Sequence, residues 1–255
     1  MFDYRNTSFE IKDGQPKLAI LPVASIEQHG SHLPLATDLL IMNAIAEQVA
    51  PRLDGATFRL PTFPYGTSMY QSDFAGTLWL TADTLFCVIR DVIESLYEHG
   101  ITRVVVLNNH GGANGTTVVP RGNFVVKSAV RQMNYDHPDC EAIWVQPLAA
   151  ARIELMGIFE TAGEEFHAGE IETSLLLHLH EELVKGRAED FVPEKGGEYL
   201  DFVPFQHLCP GGVWGYPSRA NAETGKRALE AAIDGTVRYI VTTLAQLDGA
   251  KGSRV

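Results

Sequence analysis

The run from Leu18 to Ile26 is apolar at nearly every position and gives way at once to Glu27-Gln-His29-Gly-Ser-His32, then to Thr37-Asp38 and a helical period through Leu39, Ile41, Met42, Ile45 and Val49. An apolar run of this length reads as a buried strand, and a strand that feeds a loop and then a helix is the repeating unit of an open α/β sheet. In such sheets the loops leaving the carboxyl ends of strands form the ligand crevice, so this loop can aim several side chains into one cavity. The loop holds two imidazoles and two carboxylates, a ligand mixture suited to zinc, manganese or ferrous iron. Glu27 and His29 share a face if the strand runs on that far. Asp38 can equally serve a helix N-terminus, where its charge is favoured.

The same unit recurs. Ile101 to Leu107 is rich in β-branched residues and empties into Asn108-Asn109-His110-Gly111-Gly112-Ala113-Asn114-Gly115. His110 therefore falls where a strand ends and glycines begin; its ring can reach the crevice or cap a tight turn, and the amides of Gly111 and Gly112 can meet an anion. The glycines match neither a Walker loop nor a dinucleotide fingerprint, so no nucleotide cofactor is expected. Ala56 to Phe63 and Glu141 to Leu148 read as further strands. Thr81 to His99 reads as a helix capped by Thr81 and ended by Gly100, and Ala222 to Leu247 as the last helix, capped by Asn221.

A third polar cluster, Glu164-Glu165-Phe166-His167-Ala168-Gly169-Glu170-Ile171-Glu172-Thr173-Ser174, precedes three leucines. If the whole segment is helical, His167 and Glu170 share a face and Glu172 points away. If the helix begins only after Gly169, His167 hangs from the loop and Glu172 points in from the first turn. Spacing leaves both readings open, and His178 and His180 fall further down the helix as surface residues. Two aromatic segments, around Tyr65, Tyr70 and Trp79 and from Phe191 to Ala220, can line a pocket or pack the core; Trp214 in the second can cover a substrate or anchor the loop.

Composition narrows the partners. Lys and Arg number 20 against 32 Asp and Glu, a net charge of −12 with no basic block, which argues against nucleic acid. The three cysteines, Cys87, Cys140 and Cys209, are far apart, which fits a reducing interior rather than a disulfide framework. There is no secretion signal or membrane-spanning run, so a cytoplasmic protein is expected. With 255 residues, one large α/β domain is expected.

Taken together, Ser25-Ile26-Glu27-Gln28-His29-Gly30 with Leu33-Pro34-Leu35 and Thr37-Asp38, then Asn109-His110-Gly111-Gly112, then His167-Ala168-Gly169 with Glu172-Thr173-Ser174, resemble the creatininase (creatinine amidohydrolase) family. The resemblance implies a single three-layer α/β/α domain with a mostly parallel sheet, two divalent metals per chain (zinc, manganese or iron), hydrolysis of a small molecule, and a homo-oligomer, typically a hexamer. It places one metal on Glu27, Asp38 and His110 and the other on His29, with Asp38 bridging and His167 moving the proton. One position departs from creatininase proper: Gly112 stands where a glutamate completes the second metal, and Glu172 is the candidate to replace it, with Glu170 behind. That departure turns the expected substrate away from creatinine toward another small cyclic amide or formamide. A keto-inositol whose carbon–carbon bond is hydrolysed, or a binding protein without catalysis, are the alternatives. Trp214, Gly111 and Gly112 are the candidate substrate contacts.

Overall fold

A computed structural model describes residues 1–53, 55–110 and 124–252. Five parallel strands, β1 (Phe2–Asp3), β2 (Leu18–Val23), β3 (Thr57–Arg59), β4 (Arg103–Asn108) and β5 (Glu141–Val145), form one sheet in the order β1-β3-β2-β4-β5. The helices are α1 (Ser8–Gly14), α2 (Thr37–Val49), α3 (Ala82–Glu98), α4 (Phe124–Asp136), α5 (Pro147–Ala150), α6 (Arg152–Ile158), α7 (Glu170–Leu179), α8 (Phe205–Leu208) and α9 (Ala222–Gly252).

Side-chain alternation along the central strands builds the layers. Leu18 and Ile20 of β2, Val105 and Leu107 of β4, and Ile143 and Val145 of β5 pack in one core with α2, α5, α7 and α9. Ala19, Leu21 and Val23, Val104 and Val106, and Ala142 pack in another with α3 and α4. Strands buried on both faces explain the unbroken apolar runs, and helices on both faces give the three-layer fold. In α3, Leu85, Ile89 and Ile93 recur every four residues and are fully buried, each burial stabilising by about 1.5–3 kcal/mol. Thr81 caps that helix by accepting from the Thr84 N–H, and Asn221 does the same for α9 toward Thr224.

Several boundaries differ from expectation. β2 stops at Val23 rather than Ile26, β3 covers only Thr57–Arg59, and β5 ends at Val145 because Pro147, which has no N–H to donate to a ladder, opens α5. The segment from Phe191 to Ala220 is not all loop; it contains α8 and short 3-10 turns. No helix among the described residues is long and apolar enough to cross a membrane.

Candidate metal centre

The loop between β2 and α2 leaves the carboxyl end of a central strand and doubles back on itself. The Glu27 N–H donates to Leu35, the Leu78 N–H donates to Ile26, and Gly30 turns with φ +67°. Because β2 has already ended, Glu27 and His29 converge through this turn and not through strand pleating. Asp38 sits in the first turn of α2 without making a side-chain cap; its carboxylate is buried and turned inward. His110 lies two residues beyond β4, and Gly66 lets its ring approach, since a Cβ there would meet His110 Cδ2 at 2.8 Å.

The third cluster breaks at Gly169, the residue preceding α7, so His167 hangs from the loop and Glu172 points in from the first helical turn. Ala168 holds φ +52°, a left-handed conformation costly for a side chain with a Cβ, and in it donates its N–H to Glu172 Oε2 at 2.6 Å. Glu170 faces elsewhere: its carboxylate accepts from Thr161 Oγ1 at 2.6 Å.

Six side chains meet. His110 Nδ1 lies 3.3 Å from both Glu27 Oε2 and Asp38 Oδ2, and His29 Nε2 lies 3.8 Å from both Asp38 Oδ1 and Glu172 Oε2. The two oxygens of Asp38 thus face different imidazoles. His167 Nδ1 is 3.7 Å from Glu27 Oε1, and its ring lies against His29 at 4.3 Å between centroids. The far nitrogens are engaged: His29 Nδ1–H donates to the Glu27 carbonyl at 3.1 Å, His167 Nε2–H to the Gln28 carbonyl at 2.6 Å, and His110 Nε2 pairs with Ser68 Oγ at 3.3 Å. Each ring is therefore left with its other nitrogen directed at the carboxylates.

Among the described residues three triplets come close enough to hold an ion: Glu27, Asp38 and His110; His29, Asp38 and Glu172; and Glu27, His29 and His167. Glu27 Oε2, His29 Nε2 and Asp38 Oδ2 are buried with no hydrogen-bond partner. Such atoms are costly unless something satisfies them. Tetrahedral bonds of about 2.0–2.2 Å place ligand atoms about 3.3–3.6 Å apart, close to the spacings found. The residues present fit divalent cations.

The electrostatics agree. Burial works against the charge on His29, but the Asp38 and Glu172 carboxylates outweigh it and raise the ring to about 9; Glu27 and Asp38 likewise raise His110 to about 10 against its burial. Glu27 and Asp38 fall below the usual carboxylate range, the pull of the imidazoles exceeding the cost of burial. Glu172 is pushed up to about 7, mainly by burial and further by Asp38. His167 is lowered to about 4 by burial and by the neighbouring His29, so its ring is neutral near pH 7.

The surroundings hold residues that the sequence did not single out. Gln71 Nε2 donates to Glu27 Oε1 at 3.1 Å, and Ser68 links His110 to Ser25. Glu165 accepts from the N–H groups of Glu170, Ile171 and Tyr216, tying the start of α7 to the Trp214 loop. None carries a sequence signal of its own, since each acts across the fold. His32 is buried but faces Thr173 at 2.9 Å. Trp214 is 6% exposed, packed on Phe166 with centroids 5.0 Å apart, and exchanges backbone hydrogen bonds with His167. This is the position of an anchor. Gly111 and Gly112 lie outside the described residues.

Known proteins share the sequence pattern and the fold. The family model Creatininase, creatinine amidohydrolase, matches residues 4–240. A mycofactocin precursor peptide peptidase of Mycobacterium ulcerans is 28% identical over 96% of this chain and 92% of its own. A creatinine amidohydrolase of Pseudomonas putida is 29% identical over 85% of each. The solved structure of a manganese creatininase, 21% identical, superposes with a TM-score of 0.79 over 93% of this chain and 96% of that one.

Proposed function

The chain belongs to the creatininase family of metal-dependent hydrolases, and from that premise we propose that it hydrolyses a C–N bond of a small amide, cyclic or formyl, at a centre of two divalent cations. Glu27, Asp38 and His110 would hold one cation and His29, Asp38 and Glu172 the other, with Asp38 bridging; manganese and zinc both suit this oxygen and nitrogen donor set. The observation that carries the reading is the pair of triplets sharing Asp38, each of whose oxygens faces a different imidazole. It is supported by the buried, unpartnered ligand atoms at the same place.

When bound, such cations lower the pKa of a shared water and polarise the substrate carbonyl. The chain's own work is to hold and move protons. The His167 ring, fixed by its Nε2–H bond to Gln28 and by stacking on His29, presents Nδ1 toward the centre. Neutral near pH 7, it can accept a proton there and return it to the departing nitrogen. Glu172 is the replacement for the ligand that Gly112 cannot supply, and its carboxylate is aimed by the Ala168 N–H.

The reading further places one domain across residues 1–255, with the substrate meeting the centre near the Trp214 loop and the backbone at Gly111 and Gly112. A cytoplasmic location is supported by three cysteines set far apart in the sequence, without a Cys-x-x-Cys pair, and a homohexamer by the family resemblance. Metal analysis of protein purified without chelator, followed by a panel of cyclic amides, formamides and keto-inositols, tests it. Two ions per chain and chelator-sensitive cleavage of an amide are expected. Cleavage confined to keto-inositols would move the reaction to a C–C bond, and a metal-free protein indifferent to chelator would end the hydrolase mechanism.

A further inference from the structure

We propose that the open edge of the sheet along β5 is a docking groove for an extended peptide whose side chains alternate between acidic and apolar. Among the described residues β5 ends the sheet, and a cavity of about 680 Å³ runs beside it between α4 on one face and α5 and α9 on the other. None of its lining residues belongs to the metal-ligating cluster.

The backbone supplies the first part of the case. In the parallel pairing with β4, Glu141 donates its N–H to Thr102, so Glu141, Ile143 and Val145 turn their polar groups inward and Ala142 and Trp144 turn theirs out. Asn134 satisfies Ala142 from the side, accepting its N–H and donating to its carbonyl, both at 2.8 Å. It closes one end of the slot and leaves the N–H and carbonyl of Trp144 directed into the groove. Trp144 and Gln146 line the same cavity, and Trp144 Nε1 and Gln146 Oε1 are buried without partners. Unpaired donors and acceptors along a sheet edge are what an added strand satisfies.

Charge and shape select the occupant. Lys127 and Arg131, one turn apart on α4, line the groove, and among the described residues no acidic side chain does. Both lie over aromatic rings, Lys127 over Trp144 at 5.6 Å and Arg131 over Tyr135 at 5.6 Å. In a chain of net charge −12 this is a local basic patch. The opposite wall, with Ala149, Ala150 and Tyr239, is small and apolar or aromatic. Successive side chains of an added strand point to opposite faces, so every second one meets the cations and the others meet this wall. Because helices flank the groove on both sides, another sheet edge carrying its own helices would collide with them, whereas a single strand enters.

The test uses fluorescein-labelled acetyl-Val-Glu-Val-Glu-Val-Glu amide and its Val-Lys counterpart, with fluorescence anisotropy on the full-length native protein. The acidic peptide is expected to bind at least tenfold more tightly, and Lys127→Glu with Arg131→Glu, both exposed positions, to invert that preference without changing the melting temperature. N-methylation of alternate residues should abolish binding in one register and spare it in the other. Absence of binding, equal binding of both peptides, or indifference to N-methylation in both registers would overturn the proposal. So would affinity that rises as the protein is diluted, which would mean that another copy of the chain fills the groove.

Discussion

Loading Mn²⁺ onto metal-stripped protein at pH 7 is expected to release about 2.5 protons per chain from side chains, because the ligands must shed protons to bind. His29 at about 9 and His110 at about 10 are each fully protonated at pH 7, and Glu172 at about 7 is half protonated. The two imidazoles thus give up one proton each and Glu172 half of one. With ordinary pKa values the same three groups would release only about half a proton, since an unperturbed imidazole near 6.5 is mostly neutral at pH 7. The release should rise to about three at pH 5.5 and fall below about two at pH 8.5, as Glu172 and then His29 lose their protons unaided. All three shifts are upward, so in stripped protein they contribute stability at low pH that is lost as pH rises, through about 7 for Glu172 and about 9 to 10 for the imidazoles. Metal affinity moves the other way and strengthens with pH. Calorimetric titration in two buffers of different ionisation enthalpy reads the proton count directly. A shared water that ionises on binding adds up to about one proton to the total. A total release of about one and a half protons or less at pH 7 would refute the reasoning, because ordinary side chains and one such water would account for it without protons held on His29 and His110.

Glu172→Gln should weaken one metal position by at least about tenfold, whereas Glu170→Gln, whose carboxylate is spent on Thr161, should keep wild-type metal content; loss with Glu170→Gln alone reverses the assignment. Gly66→Ala puts a methyl 2.8 Å from His110 Cδ2 and should cost about 1–3 kcal/mol by overpacking, with weakened binding at the Glu27, Asp38 and His110 position, checked by denaturant unfolding and metal titration. Trp214→Ala removes a buried indole packed against Phe166 and Phe205 and should cost about 3–5 kcal/mol of stability. Impaired turnover at an unchanged melting temperature would instead make Trp214 a substrate contact.

What the sequence could and could not disclose follows from how far each signal reaches along the chain. The two central strands announced themselves because both of their faces are buried, and Thr81 and Asn221 because a cap acts within three residues. The same local logic marks α1, where Thr7 and Glu10 cap each other, although its exposed helix carries no apolar face to draw attention. Glu27, His29 and Asp38 were legible as a cluster since one loop carries all three. The choice between Glu170 and Glu172 was not, because it depends on where α7 begins, and that is fixed from outside the segment: Glu165 accepts the N–H groups of Glu170 and Ile171, and Gly215, whose Cα neighbourhood a side chain would fill, lets the Trp214 loop close over Gly169. With the helix started there, Thr161 takes Glu170 and the left-handed Ala168 takes Glu172, so one backbone decision sorts two adjacent carboxylates into different environments. Gln71 and Ser68 stayed hidden for the same reason, as they reach Glu27 and His110 only after β2 and β4 have been laid side by side. The sequence thus names the groups able to bind metal, and the packing around Gly169 decides which of them face it.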